Sequence, residues 1–313
     1  MYRAFDPGPL KTTPLAERPS KVTVSQFARP VGAGRSFADW LAGLPDLLAG
    51  ADLRAVAAAL RAAQGRQAPI LWGLGGHVIK TGLAPVLIGL MREGFVSALA
   101  LNGAALIHDF EIALAGHTSE DVDAALGPGT FGMAEETGAW LNGAINDGVA
   151  AGEGIGQAVT GWLRRRGEVP HAASSLLCAA AELDVPVTVH LALGTDVTHM
   201  HPSASGAALG EGSLRDFGYV TDTVSRLAGG VYLNCGSAVI LPEVFLKAVA
   251  LVRNAGIPLD GLTTVSLDFI RHYRPQTNVV QRPVHGVGRG YSLVGHHEIL
   301  IPLIAAAVLE RNA

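Results

Sequence analysis

The sequence predicts a doubly wound, mostly parallel α/β sheet with helices on both faces, and three observations predict it. Short apolar runs recur between residues 69 and 297 and are separated by helical segments. The runs are continuous rather than alternating, as in strands covered on both faces. The scarce ionisable side chains gather where those runs end, in GGHVIKTG (75–82), NGAALIHDFE (102–111), LGTDVTHMHPS (193–203), LDFIRHYRP (267–275) and GHHE (295–298). Only 16% of residues are charged, yet nine of the eleven histidines lie in or near these segments. The carboxyl ends of parallel strands open onto one crevice, so polar groups placed there share a site. An enzyme is expected.

Residues 1–35 are rich in Pro, Gly and basic residues, show neither period, and read as an arm that packs on the body or on a neighbour. Residues 36–313 read as a single domain. Helical spacing from Ser36 places Phe37, Trp40, Leu41 and Leu44, then Leu53, Val56 and Leu60, on apolar faces, with Asp52 as a cap of the second helix. Strands are expected at PILWGLG (69–75), VSALALNG (96–103), VPVTVHLAL (185–193), GVYLNCGSAVI (230–240), LTTVSLDF (262–269) and YSLVGHH (291–297). Helices are expected at 81–91, 104–116, 174–184, 213–229, 242–256 and 298–310. A Gly-rich helical insertion near 118–170 interrupts the alternation and reads as a cover over the sheet.

Composition narrows the function classes. A net charge of −4 without a Lys/Arg block argues against a nucleic-acid partner. Gly and Pro break the apolar runs before the roughly 20 residues a membrane helix needs. MYRAFDPGPLKTTPL has no apolar core behind a basic patch, so no secretory signal is expected. Cys178 and Cys235 lie in apolar segments and read as buried thiols, which places the protein in the cytoplasm. Low charge and many small residues lead us to expect a homo-oligomer.

PILWGLGGHVIKTGLAP runs strand, Gly-rich turn, helix, with Pro85 in a first helical turn. Gly73 and Gly75 fit a dinucleotide-binding spacing, although Val78 stands where a third glycine belongs; phosphate contact and an ordinary turn both stand as readings. Lys80 and Lys247 are the only body lysines, available for imine chemistry or phosphate pairing; Lys247 is expected to snorkel from its helix. In NGAALIHDFE, Asn102, His108, Asp109 and Glu111 fit a general base with its orienting carboxylate, or a buried polar network. Asp196, His199 and His201, together with His296, His297 and Glu298, supply enough ligands for a metal, and equally suit a polyamine or nucleotide site. Asp268, Arg271, His272, Tyr273 and Arg274, with Arg282 and Arg289 nearby, can clamp an anion or form an interface network. There is no Gly-x-Ser-x-Gly elbow, so serine hydrolysis has no support.

The order of these motifs resembles the deoxyhypusine synthase family, in its bacterial deoxyhypusine synthase-like branch, over most of residues 69–311. The stretches that carry the resemblance are ILWGLGGHVIKTGLAPVLIGLM, SALALNGAALIHDFEIAL, VPVTVHLALGTDVTHMHP, YLNCGSAVILPEVFLKAVALVRNAG and GHHEILIPLIAAA. It implies a Rossmann-like subunit, a homotetramer with sites at dimer interfaces, bound NAD, and aminobutyl transfer from spermidine to a protein lysine. On it, Gly75, His77, Thr81, Gly82, Asn102 and Gly103 face the cofactor, and Asp196 and His199 fall in the loop where the family places acidic groups for NAD and polyamine. From the residues themselves, Asp196 and His296 are expected in the cofactor site, His108, Asp109, His199 and Lys80 are expected to carry catalysis, and Glu111, His201, Asp268, His272 and Arg282 to hold substrate. The chain departs from the family where a catalytic lysine belongs, near 278–283, since TNVVQRP has none and Arg282 stays protonated. Ile107 and His108 replace an acidic pair, and His296 and His297 an Asp-Ala. NGAALIHD also looks like the Asn-Ala-x-x-x-His-Asp motif of NAD-dependent ornithine cyclodeaminases, in which the imine closes on the substrate's own second amine. The leading expectation is an NAD-dependent enzyme acting on an amine carbon of a polyamine or basic amino acid. The alternatives are a metal-dependent hydrolase or lyase using His199, His201, His296 and His297, and a non-catalytic relative that binds a polyamine or protein.

Overall fold

All six expected strands form, and they pair side by side in one direction. In the computed structural model, which describes residues 1–310, the order is β3-β2-β1-β4-β5-β6 with every pairing parallel. In chain order the elements are α1 (Phe37–Gly43), α2 (Leu48–Gly65), β1 (Ile70–Leu74), α3 (Gly76–Lys80), α4 (Ala84–Arg92), β2 (Ala98–Asn102), α5 (Gly103–Ala115), α6 (Val122–Leu126) and α7 (Glu135–Ala150). There follow α8 (Ile155–Arg165), α9 (Leu176–Glu182), β3 (Val187–His190), α10 (Gly206–Ser225), β4 (Val231–Cys235), α11 (Ile240–Asn254), β5 (Thr263–Asp268), α12 (Tyr273–Pro275), β6 (Arg289–Val294) and α13 (His297–Leu309). Residues 1–35 hold only two short helical turns, and Arg29 ties them to the body by donating to the Gly43 and Ala42 carbonyls. No helix among the described residues is long and apolar enough to cross a membrane.

Strand side chains alternate between two apolar layers. Trp72, Leu99, Leu101, Val265 and Leu267 pack with α2, α4, α5, α9 and α13 on one face. Leu71, Ala100 and Tyr232 pack with α10 and α11 on the other, where Tyr232 stacks on Phe245 at 3.8 Å. Gly73 belongs to this second layer, in the middle of β1. A Cβ there would stand 2.8 Å from the Tyr232 hydroxyl, so this glycine makes room for a core ring rather than a cofactor. Two other expectations shift. α2 begins at Leu48, which puts Asp52 inside the helix rather than at its cap, and α10 begins at Gly206 because the Ser205 hydroxyl accepts from the Ala208 N–H.

The insertion between β2 and β3 is anchored by buried carboxylates at helix starts. Asp216 of α10 accepts from Gly156 N–H at 3.0 Å and Val189 N–H at 2.7 Å, joining α8, α10 and β3. Its second oxygen is buried without a partner, against Gly154, where a Cβ would collide with it. Burial pushes the carboxyl up to about 7 despite the two donors. The folded chain therefore holds a proton that the unfolded chain has released above about pH 4. Stability from this group is complete below that pH and is lost, at about 1.4 kcal/mol per pH unit, as pH rises towards 7. Asp216→Asn cannot titrate. Urea unfolding at several pH values is expected to show the wild type losing this increment relative to the variant; parallel pH profiles would contradict it.

Candidate active site

The chain leaves β1 and β4 at the point where the strand order reverses, the place where open α/β sheets form a crevice. Gly75 N–H donates to the Cys235 carbonyl at 2.9 Å, and a Cβ on Gly75 would run into the Gly236 carbonyl. Glycine is thus the residue that lets the two turns touch. At Gly76 a Cβ would lie 2.8 Å from Ala104 Cβ and 3.1 Å from His108 Cδ2, which fixes α3 closely against α5. Thr81 donates its hydroxyl to the His77 and Val78 carbonyls, so that group serves the end of α3, and Gly82 turns the chain at φ +79°. His77 and Lys80 are left exposed.

Asn102 caps α5 by accepting from Ala105 N–H at 2.9 Å. One turn on, His108 Nδ1 lies 2.7 Å from Thr118 Oγ1, and Thr118 donates to Glu111 Oε2 at 2.5 Å; Thr137 donates to Glu111 Oε1 at 2.9 Å. Thr118 has one proton and gives it to Glu111. His108 must then donate from Nδ1, which leaves Nε2 bare as an acceptor in the neutral ring. Burial, helped by the Lys80 charge, lowers the imidazole to about 4, so it stays neutral near pH 7. Beside this chain of bonds opens a cavity of about 950 Å³ lined by Glu111, Thr118, Thr137, Trp140 and Arg166, with the Arg166 guanidinium 4.1 Å above the Trp140 ring.

Asp109, adjacent in sequence, faces the other way. Both its oxygens are taken by Ser175 Oγ and the Leu176 and Leu177 N–H groups at the start of α9, and it is fully buried. It holds the fold and does not reach the cleft, which corrects its expected catalytic role.

A second pair stands at the start of α5, where a Cβ on Gly103 would collide with Asp196 Oδ2. His199 Nδ1 accepts from Gly194 N–H at 3.1 Å and Asp196 N–H at 3.3 Å, so the neutral ring carries its proton on Nε2. That atom is buried with no partner, 3.9 Å from Asp196 Oδ2, and the two side chains are 7% and 10% exposed. Burial raises the Asp196 carboxyl while His199 opposes the shift. His201 does not join them: its ring packs on Gly138 of α7 and bonds Ser203 at 2.7 Å.

Across the switch point, His77, Phe269, His296 and His297 form a cluster of rings at the ends of β1, β5 and β6. Asp268 accepts from Phe269 N–H at 2.8 Å and has His272 at 4.0 Å. Arg282 donates to Asn278 Oδ1 at 2.9 Å, and Asn278 donates in turn to Glu243 in the first turn of α11, so among the described residues Arg282 is held by α11 and forms no clamp with Asp268. Lys247 is paired with Glu243 on the surface of α11. Among the described residues no three His, Cys, Asp or Glu side chains are grouped to hold a metal, so the set His199, His201, His296 and His297 does not assemble. Thr118, Thr137 and Phe269 were not anticipated. A hydroxyl in the Gly-rich insertion carries no sequence signal for pairing with α5, whereas Phe269, at the end of a predicted strand, was open to recognition.

No family model matches the chain, and no curated protein matches it. Solved structures do. ArgZ, an arginine dihydrolase of cyanobacteria, aligns at 19% identity and TM-score 0.51 over 85% of this chain and 33% of its own. AgrE, solved with ornithine and NAD+, aligns at 16% identity and TM-score 0.50 over 82% of this chain and 32% of AgrE. An LOR/SDH-type protein from Methanococcus maripaludis S2 aligns at 15% identity and TM-score 0.50, over 82% of this chain and 69% of that one. The chain spans about a third of ArgZ and AgrE. At these identities the likeness shows a shared fold.

The bond pattern around His108 fixes its tautomer, and its burial beside Lys80 disfavours the charged ring. Nitrogen-resolved NMR is expected to find the ring neutral from pH 5 upward with the proton on Nδ1; an imidazolium persisting at pH 6 would contradict the arrangement.

Proposed function

We propose that the protein is an NAD-dependent enzyme that oxidises the amine-bearing carbon of a basic amino acid of the ornithine type. The observation that carries this reading is the Glu111–Thr118–His108 chain, which leaves a neutral, oriented Nε2 on a helix packed against the switch-point turn. The crevice suits the dinucleotide: its turns are the glycines at 75, 76 and 236, exposed rings stand at its rim, and His297 Nδ1 is a buried acceptor without a donor. Bound NAD supplies the two-electron acceptor for the amine carbon. AgrE, of the same fold, was solved with ornithine and NAD+, and the motif resemblance to deoxyhypusine synthases supports the same cofactor.

The side chains supply the rest. As the amine carbon loses its hydrogen with both bonding electrons, its nitrogen gives up a proton to His108 Nε2 and a C=N bond forms. The charge that develops on the imidazole is stabilised by Glu111 through Thr118, whose hydroxyl keeps the ring in place. Asp196 suits a substrate ammonium, and the unpaired His199 Nε2–H suits a carboxylate, an acceptor that an amino acid has and a polyamine lacks. The imine then takes up water or closes on the substrate's second amine. No enzyme lysine is needed for either course, in keeping with Lys247 in its surface pair.

Purified protein supplied with NAD and ornithine is expected to produce NADH. His108→Asn should lower kcat by about 10²- to 10⁴-fold with NAD affinity unchanged. No reduction of NAD by ornithine or other diamino acids, or full turnover in the variant, would overturn the reading.

A further inference from the structure

Thr137 sends its hydroxyl to another helix, where the threonines inside α8 and α10 keep theirs at home. Thr160, Thr221 and Thr223 donate to the carbonyls one turn behind them, those of Gly156, Phe217 and Tyr219. Thr137 stands in the first turn of α7, where no helical carbonyl lies one turn behind, and its hydroxyl crosses to α5 to donate to Glu111 Oε1 at 2.9 Å. The residue is buried, at 8% exposure. The Glu111 carboxylate thus takes one hydroxyl on each oxygen, Thr137 on Oε1 and Thr118 on Oε2, beside the N-terminal turn of a 16-residue helix whose dipole favours negative charge.

The second hydroxyl fixes what the first leaves free. The terminal torsion of a glutamate is broad, so a carboxylate held at one oxygen can turn about its last bond and carry that oxygen away. Held at both, it has one orientation, and Thr118 has a fixed acceptor for its single proton. On that condition His108 donates from Nδ1 and presents Nε2 bare. If Oε2 left Thr118, the hydroxyl would be free to donate to His108 Nδ1, and the ring proton would move to Nε2, which could then no longer accept. We infer that Thr137 is a positioning residue for His108: acting through Glu111 and Thr118, it keeps the ring's acceptor on Nε2. Thr118 and Thr137 both come from the segment between β2 and β3, so the helical insertion takes part in the site rather than only covering it. The effect on turnover rests on the amine-oxidation reading above; the effect on the ring does not.

Nitrogen-resolved NMR of His108 and steady-state kinetics with NAD and ornithine test it on the full chain, with Thr137→Val and Thr137→Ser as variants and thermal unfolding as the check on folding. Thr137→Val keeps the shape and removes the hydroxyl. It is expected to show Nε2–H beside or in place of Nδ1–H on His108, and to lower kcat by about tenfold or more with KM for NAD within about twofold of the wild type. Thr137→Ser keeps the hydroxyl and is expected to retain the wild-type ring and kcat. Should the valine variant fail to fold, Thr137→Ala, which adds no volume, takes its place. A wild-type tautomer in the folded variant without the hydroxyl, or loss of that tautomer in Thr137→Ser as well, overturns the inference. If the wild type does not reduce NAD with ornithine, the amine-oxidation reading fails, and the ring spectra alone decide the role of Thr137.

Discussion

The contact of two glycine turns, Gly75 after β1 and Gly236 after β4, is the constraint on which the rest of the site depends. The strands beneath are in register along their whole length, from Ile70 beside Val231 to Leu74 beside Cys235, and the Gly75 N–H continues the ladder one residue past the strand. Any side chain at 75 would separate the turns. Because they touch, α3 is held close enough for Gly76 to lie on His108, and Gly236 is brought under His297. The base, the ring cluster and the crevice are therefore positioned by backbone packing rather than by flexible loops.

Carboxylates divide into two groups with different work. Asp109 and Asp216 are buried and accept from N–H groups at the starts of α9 and α8, where backbone donors and the helix dipole offset part of the cost of removing them from water. Both are raised by that burial, yet their partners are structural. Glu111 and Asp196 are also largely enclosed, but each stands next to a histidine, and through Thr118 or directly they bias one ring nitrogen over the other. Neighbours in sequence fall on opposite sides of this division: on one helix, Asp109 faces α9 while His108 and Glu111, three residues apart, are joined through Thr118, and Glu111 lines the cavity.

The strands were legible because continuous Val, Leu, Ile and Ala runs between Gly-rich turns leave little choice for a half-polar chain, and the histidines at 77, 108, 199 and 296 all follow the carboxyl ends of strands, as their positions in the sequence led us to expect. What could not be read was direction. Asp109 and His108 look alike as site residues until helix phase and the position of α9 are known. His201 is two residues from His199, yet it packs on α7, a helix distant in sequence. Arg282 lies fourteen residues after Asp268, but its guanidinium is taken up by Asn278, which is itself bonded to Glu243 of α11. Gly73 matched a cofactor spacing for a packing reason supplied by Tyr232, two strands' worth of sequence away.

The proposed reaction rests on an oriented neutral imidazole, the enclosed Asp196–His199 pair and a crevice floored with glycine. The most direct test is mass spectrometry of the small molecules released on denaturing protein purified without added cofactor, followed by equilibrium uptake of added NAD. The account predicts NAD or NADH approaching one per chain, either carried through purification or taken up on addition. Absence of dinucleotide in both experiments would contradict it.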